Sequence, residues 1–215
     1  MSLIVALVTT AVAEAPLDAE RRHRVSAVFG AGAALSAGRN GGGHAPGLAE
    51  RVGFEATFSD VSAFSFDLEH SRQAIVDARV WFPGVDVPAD ALRGWRDWFV
   101  LDVGPRIGAD VRPGGSGAPV WAVPWMRFGL VIAVARSRAE APSLEGATAI
   151  VTNTVSPGLS LGAGVAVRVR DWLTLNPGFK AQVVVAEDPA EVVGGDSAVA
   201  AEWRFLPGLD VGFDF

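Results

Sequence analysis

The sequence predicts an all-β protein, an antiparallel up-and-down transmembrane β-barrel of eight strands, and three observations lead there. Half of the 215 residues are hydrophobic and mean hydropathy is +0.31, yet there is no uncharged apolar run of about 18 residues from which a membrane helix could be built. The apolar residues instead alternate with small or polar ones in segments of about ten, the pattern of a strand whose two faces meet different surroundings. Turn-formers separate the segments, and short connections alternate with long ones.

Composition narrows the function classes. With 24 Asp and Glu against 18 Lys and Arg the formal charge is −6, and no basic block is present to neutralise the phosphates of a nucleic acid. Cysteine is absent, which removes disulfides, thiolate metal sites and thiol nucleophiles. His23, His44 and His70 are isolated and do not make a metal site. Gly41, Gly42 and Gly43 have no Lys, Ser or Thr at the spacing of a phosphate loop. No cofactor is expected.

The elements follow in order. Leu3 to Ala13 is an apolar stretch of eleven residues, followed by the charged run Asp18 to Arg24. Ala11 and Ala13 provide a small-x-small cleavage site, so residues 1–13 are expected to be a cleaved signal peptide and 14–215 the barrel domain. Val25, Ala27, Phe29, Ala31, Ala33 and Leu35 then alternate with Arg24, Ser26, Val28, Gly30 and Gly32. Residues 37–46 are a glycine-rich loop. Val52, Phe54, Ala56 and Phe58 oppose Arg51, Gly53, Glu55 and Thr57; after a tight turn at Ser59 to Ser62, Phe64, Phe66 and Leu68 oppose Ser65, Asp67 and Glu69, which makes a hairpin.

Residues 72–96, broken by Pro83, Gly84 and Pro88, predict a long loop with one helical turn. Alternation resumes with Phe99, Leu101, Val103, Ile107, Ala109 and Val111 against Asp102, Gly104, Arg106 and Asp110. A turn at 113–119 leads to Met126, Phe128, Leu130, Ile132 and Val134 against Arg127, Gly129, Val131 and Ala133, and then a charged loop from Arg136 to Gly146. Leu159 to Arg170 and Leu173 to Val185 form two more strands around the turn Asp171-Trp172, and Ala186 to Asp196 is a polar loop. From Val199 to Phe215 the apolar residues keep one parity without a slip. If Pro207-Gly208 is a bend, this run is one long eighth strand; if it is a turn, it begins a ninth, in a larger barrel truncated at its C-terminus. Loop order favours the turn, because a short connection is due after the long loop at 186–196, whereas the terminal aromatic favours the bend, and eight strands is the reading adopted.

The second face of these strands is thick with Gly, Ala and Ser and carries isolated charges of both signs, unlike the Lys- and Glu-rich wet face of a soluble sandwich. Eight strands leave room inside only for side chains. Arg51, Arg106, Arg127, Lys180 and Arg204 are therefore expected to neutralise Glu55, Asp67, Glu69, Asp102 and Glu202, because buried charge is tolerated only when paired. Trp81, Trp95, Trp98, Trp121, Trp125, Trp172 and Trp203 lie near the ends of apolar runs or in adjoining loops, and several read as an interfacial girdle.

Glu69-His70-Ser71 has the residue types of a hydrolase, but consecutive strand residues point to opposite faces, so His70 turns away from both neighbours and catalysis is not expected. His44 reads as a solvated loop residue. Arg136 and Arg138, past the apolar run of their strand, either contact lipid phosphates or snorkel. Glu187, Asp188 and Glu191 form an acidic loop that either meets divalent cations bridging lipopolysaccharide or is simply solvated.

The chain ends LDVGFDF, with Leu209, Val211, Phe213 and Phe215 alternating and an aromatic last. This resembles the C-terminal signature by which the bacterial barrel-assembly machinery recognises its clients. Together with RVRDWLTLNPGF (168–179) and EWRFLPGLDVGF (202–213), it makes the chain resemble small outer-membrane β-barrel proteins of the porin-like and OmpA/OmpX/OmpW-like superfamily. The resemblance implies a Gram-negative outer membrane, with its lipids, lipopolysaccharide and the assembly machinery as partners, and carries over no catalytic or ligand residue. The function expected is a non-enzymatic structural, adhesive or envelope-interaction role with an interior plugged by charge pairs. The alternatives are passive transport or binding of small solutes and, further off, a lipid-modifying enzyme.

Overall fold

A computed structural model describes residues 24–38, 43–59, 61–77, 92–109, 121–140, 150–187 and 199–215. The expected signal peptide lies outside them, as do Trp81, the Pro83-Gly84 break, the whole turn at 113–119, and Asp188 and Glu191 of the expected acidic loop. Eight strands are present: β1 (Arg24–Ala37), β2 (Gly47–Ser59), β3 (Ser62–Ala74), β4 (Arg93–Gly108), β5 (Trp121–Glu140), β6 (Ile150–Arg170), β7 (Leu173–Glu187) and β8 (Val199–Asp214). Each pairs antiparallel with the next, and β8 closes on β1, so the sheet has no free edge.

Closure settles the ambiguity at Pro207-Gly208. Both residues lie inside β8, which pairs with β7 through Phe179↔Pro207 and with β1 through Gly32↔Gly208. The reason is that a turn there would have stripped β1 of its partner. The close approach needs glycine, since a Cβ on Gly32 would stand 2.2 Å from the Pro207 carbonyl oxygen. Phe29 and Phe213 seal the seam edge to face, with centroids 6.2 Å apart. Among the described residues the count is eight, and these strands close into a barrel without a ninth.

Several strand ends differ from the sequence reading, always toward longer strands at the loop end. β3 runs to Ala74 and β4 begins at Arg93, so the first three and last four residues of the loop expected over 72–96 are strand. β5 continues through Arg136 and Arg138 to Glu140 because β6 starts at Ile150 and pairs with it, Arg136↔Asn153 and Arg138↔Val151. Local polarity marks a loop; a neighbouring strand offering a ladder overrides it. At the other end β4 stops at Gly108, whose N–H bonds to the Val61 carbonyl at 2.7 Å, short of the expected Ala109, and Val111 lies outside the described residues. His44 is not solvated: it is buried and forms an isolated bridge with Ile75.

Burial alternates with the pleat. Along β3 the even residues Phe64, Phe66 and Leu68 are exposed and the odd residues Ser65, Asp67, Glu69 and Ser71 are buried. The same inversion of a soluble core holds on β5, where Phe128, Leu130 and Ile132 face outward and Arg127 and Val131 inward. Glycines make the lumen habitable. A Cβ on Gly129 would meet Asp102 Oδ1 at 2.2 Å and Ser160 Oγ at 2.4 Å, and the space over Gly164 and Gly178 is filled by the Trp125 ring.

Candidate functional site: lumen network and outer wall

The lumen is crossed by three tiers of charge. Nearest Arg24 and Phe215, Arg106 meets Glu55 at 2.6 Å, while Asp214 accepts from Ser26 at 2.6 Å and Arg24 at 3.4 Å. In the middle, Asp67 and Asp102 are register partners on β3 and β4, a repulsive placement unless cations lie between them. Arg127 of β5 bonds to both carboxylates, 3.0 Å from Asp102, and Lys180 of β7 reaches Asp102 at 2.9 Å and Asp67 at 3.3 Å. Ser160 donates to Asp102 at 2.9 Å. Arg51 joins Asp67 at 3.5 Å and Asp210 more closely.

Toward the loops, Arg204 donates to Glu69 at 2.8 Å, to Ser71 at 2.7 Å and to Gln182, and the Gln182 amide donates to Glu69 at 3.3 Å. Arg96 pairs with Glu202 at 2.8 Å. The ring of Trp98, which exposes nothing to solvent, lies 4.5 Å from the Arg96 guanidinium and 4.9 Å from that of Arg204.

Arg51, Glu55, Asp67, Glu69, Asp102, Arg106, Arg127, Lys180, Glu202 and Arg204 thus all sit on the lumen face within ion-pair distance of an opposite charge. Sequence reasoning missed Arg24, Arg96, Asp210 and Asp214. Arg96 was hidden in a stretch read as loop, whereas Asp210 and Asp214 share the parity of Glu202 and could have been found by it. Trp98 and Trp125 are lumen residues and do not belong to a girdle. Trp95, Trp172 and Trp203 do lie on the outward side, Trp172 stacked on Phe213 and Trp203 on Phe205. Leu209 and Phe215 of the terminal motif are exposed, and Val211 and Phe213 sit in the β7–β8–β1 seam. Three spaces between side chains of the described lumen measure about 30 to 50 Å³, room for a water or two.

The outer wall is largely apolar, with its polar residues gathered toward the loop end of β2 to β6, from Glu50 to Asn153. Glu69 and Ser71 point inward to Arg204, and His70 points out, stacked on Phe99 with centroids 4.8 Å apart and Nε2 3.6 Å from Asp97. Asp97 is an acid that the local triplet gave no hint of, since β4 supplies it. The cross-strand and same-face neighbours of His70 among the described residues, Glu50, Leu68, Arg72 and Phe99, include no hydroxyl to serve as nucleophile. Arg72 Nε pairs with Asp97 at 3.0 Å, Arg72 and Arg136 stand 4.6 and 5.9 Å from the Trp95 ring, and Arg138 pairs with Glu140 at 2.5 Å. Below them lies an open groove of about 570 Å³ lined by Leu68, His70, Phe99, Leu101, Ile132 and Val134.

A closed barrel with charge sealed inside and Phe, Leu, Ile and Val outside is the architecture of a transmembrane β-barrel. Among solved structures the chain is similar to Neisserial surface protein A, with 16% identity over 89% of this chain and 97% of that one at a TM-score of 0.50. It is also similar to a major outer membrane protein from Thermus thermophilus, with 17% identity over 89% and 99% of the two chains at a TM-score of 0.53. The fold is therefore that of small outer-membrane β-barrel proteins. No protein-family model and no curated protein matches the sequence.

Proposed function

We propose that this protein is a closed, non-enzymatic barrel of a bacterial outer membrane that acts through its outer surface and loops, in a structural, adhesive or envelope-interaction role, and not through its lumen. In this reading the chain is exported by its N-terminal leader and handed to the assembly machinery by Leu209, Val211, Phe213 and Phe215. Membrane lipids are its standing partners. The observation that supports the closed lumen is the tier formed by Asp67, Asp102, Arg127 and Lys180, whose side chains are each at most 6% exposed. A solute path through it requires parting buried ions, which costs about 3–5 kcal/mol when one partner is left uncompensated. At tenfold per 1.4 kcal/mol that keeps an open state below about one per cent.

The test is a conductance trace of the refolded full chain in a planar bilayer. Insertion without sustained current steps is the expected result. Stable steps at low voltage would overturn the plugged lumen and favour passage of small solutes.

A further inference from the structure

On the outer wall, one hydrogen-bonded row reads Ala33, Leu48, Arg72, Asp97, Arg136 and Asn153 from β1 to β6, apolar on the first two strands and polar from the third. The next row toward the loops holds Trp95 opposite Arg138, and Arg93 faces Glu140 beyond it. Four guanidiniums thus share this corner with two carboxylates, and Glu50 is one row below, cross-strand from His70. Counted over the described residues of these rows, the corner remains net positive with Glu50 included.

The guanidiniums are arranged, not scattered. Asp97 is only 9% exposed and anchors Arg72, and the Trp95 indole is shared by Arg72 and Arg136. Among the described residues no carboxylate lies within ion-pair distance of Arg136. The side chains of Arg72 and Arg138 stay 58% and 52% exposed even while paired. A guanidinium has five N–H donors and one carboxylate engages two of them at most, so each keeps donors for a further acceptor. Immediately below this corner is the mostly apolar groove lined by Leu68, Phe99, Leu101, Ile132 and Val134, with His70 and Glu50 also in its wall.

We propose that Arg72, Arg136 and Arg138, with Trp95, form a binding site for the phosphate headgroup of an anionic membrane lipid whose acyl chain lies in the groove beneath. The ligand's two parts match the two parts of the wall: a phosphate takes bidentate hydrogen bonds from arginine, and a chain covers apolar surface that already faces lipid. The site rests on the membrane reading above and gives the envelope-interaction role a ligand class.

The test uses the full chain refolded into phosphatidylcholine bilayers containing trace spin-labelled phosphatidic acid or spin-labelled phosphatidylcholine, with the motionally restricted fraction read by electron paramagnetic resonance. A basic side chain near a membrane surface is worth about 1 kcal/mol toward an anionic lipid, so selection of phosphatidic acid by about fivefold or more is expected. That preference should fall toward one in Arg72→Gln/Arg136→Gln and in the native protein at high salt, and persist in Arg170→Gln at the opposite end. Equal restriction of the two lipids by the inserted native barrel, or undiminished selection by the double variant, overturns the site alone. Failure of the native chain to insert, seen as no heat-modifiable gel shift, overturns the membrane reading and the site with it.

Discussion

Arg127 and Arg136 lie nine residues apart on the same strand and obey opposite rules. Arg127 is on the odd face, 4% exposed, and bonds to Asp67 and Asp102 at once. Arg136 is on the even face, exposed, and leans over Trp95 with no carboxylate in reach among the described residues. The pleat alone separates them, since successive side chains leave a strand on opposite sides. The difference teaches that in this barrel an inward guanidinium is structural, paired because water is scarce, whereas an outward one is available to a partner. A count of arginines says nothing about which is which.

The largest effect should come from breaking the inward rule. Asp67→Ala removes the carboxylate shared by Arg127, Lys180 and Arg51, and a loss of about 3–5 kcal/mol is expected from the cations left uncompensated. Equilibrium unfolding in lipid vesicles measures it; a change under about 1 kcal/mol would show that the lumen is wetter than its burial implies.

Next comes a charge placed where only lipid should be. Leu130 is 71% exposed at the centre of the β5 outward row, and Leu130→Arg should cost roughly 2–4 kcal/mol in a bilayer. The same substitution in a soluble, water-washed wall would be close to neutral, so vesicle unfolding that finds no penalty removes the lipid-facing assignment.

The smallest effect sharpens the outward rule. Arg136→Gln should shift stability by no more than about 0.5 kcal/mol, because the residue is exposed and completes no buried pair. A loss comparable to that of Asp67→Ala would mean that Arg136 holds the wall together and is not held ready for a ligand.

The alternation of faces is a property of each strand taken singly, and so Val52 against Arg51, Phe66 against Asp67, and Leu130 against Gly129 could be sorted from the sequence alone. That sorting was enough to place ten charges on the inward face and the apolar residues on the outward one, whereas the parity from Val199 to Phe215 could not tell one strand from two. What it could not supply was anything that depends on the neighbouring strand. Whether Pro207-Gly208 bends or turns depended on β1 lying beside it; whether Arg136 ends a strand or continues one depended on Asn153 across the ladder. Asp97 comes to His70, Arg96 to Glu202 and Trp98 to the Arg204 guanidinium only through the registers of β3, β4 and β8. Period two follows from the geometry of one residue and the next, while register and strand length come from hydrogen bonds between segments far apart in the chain, which only the closed sheet decides.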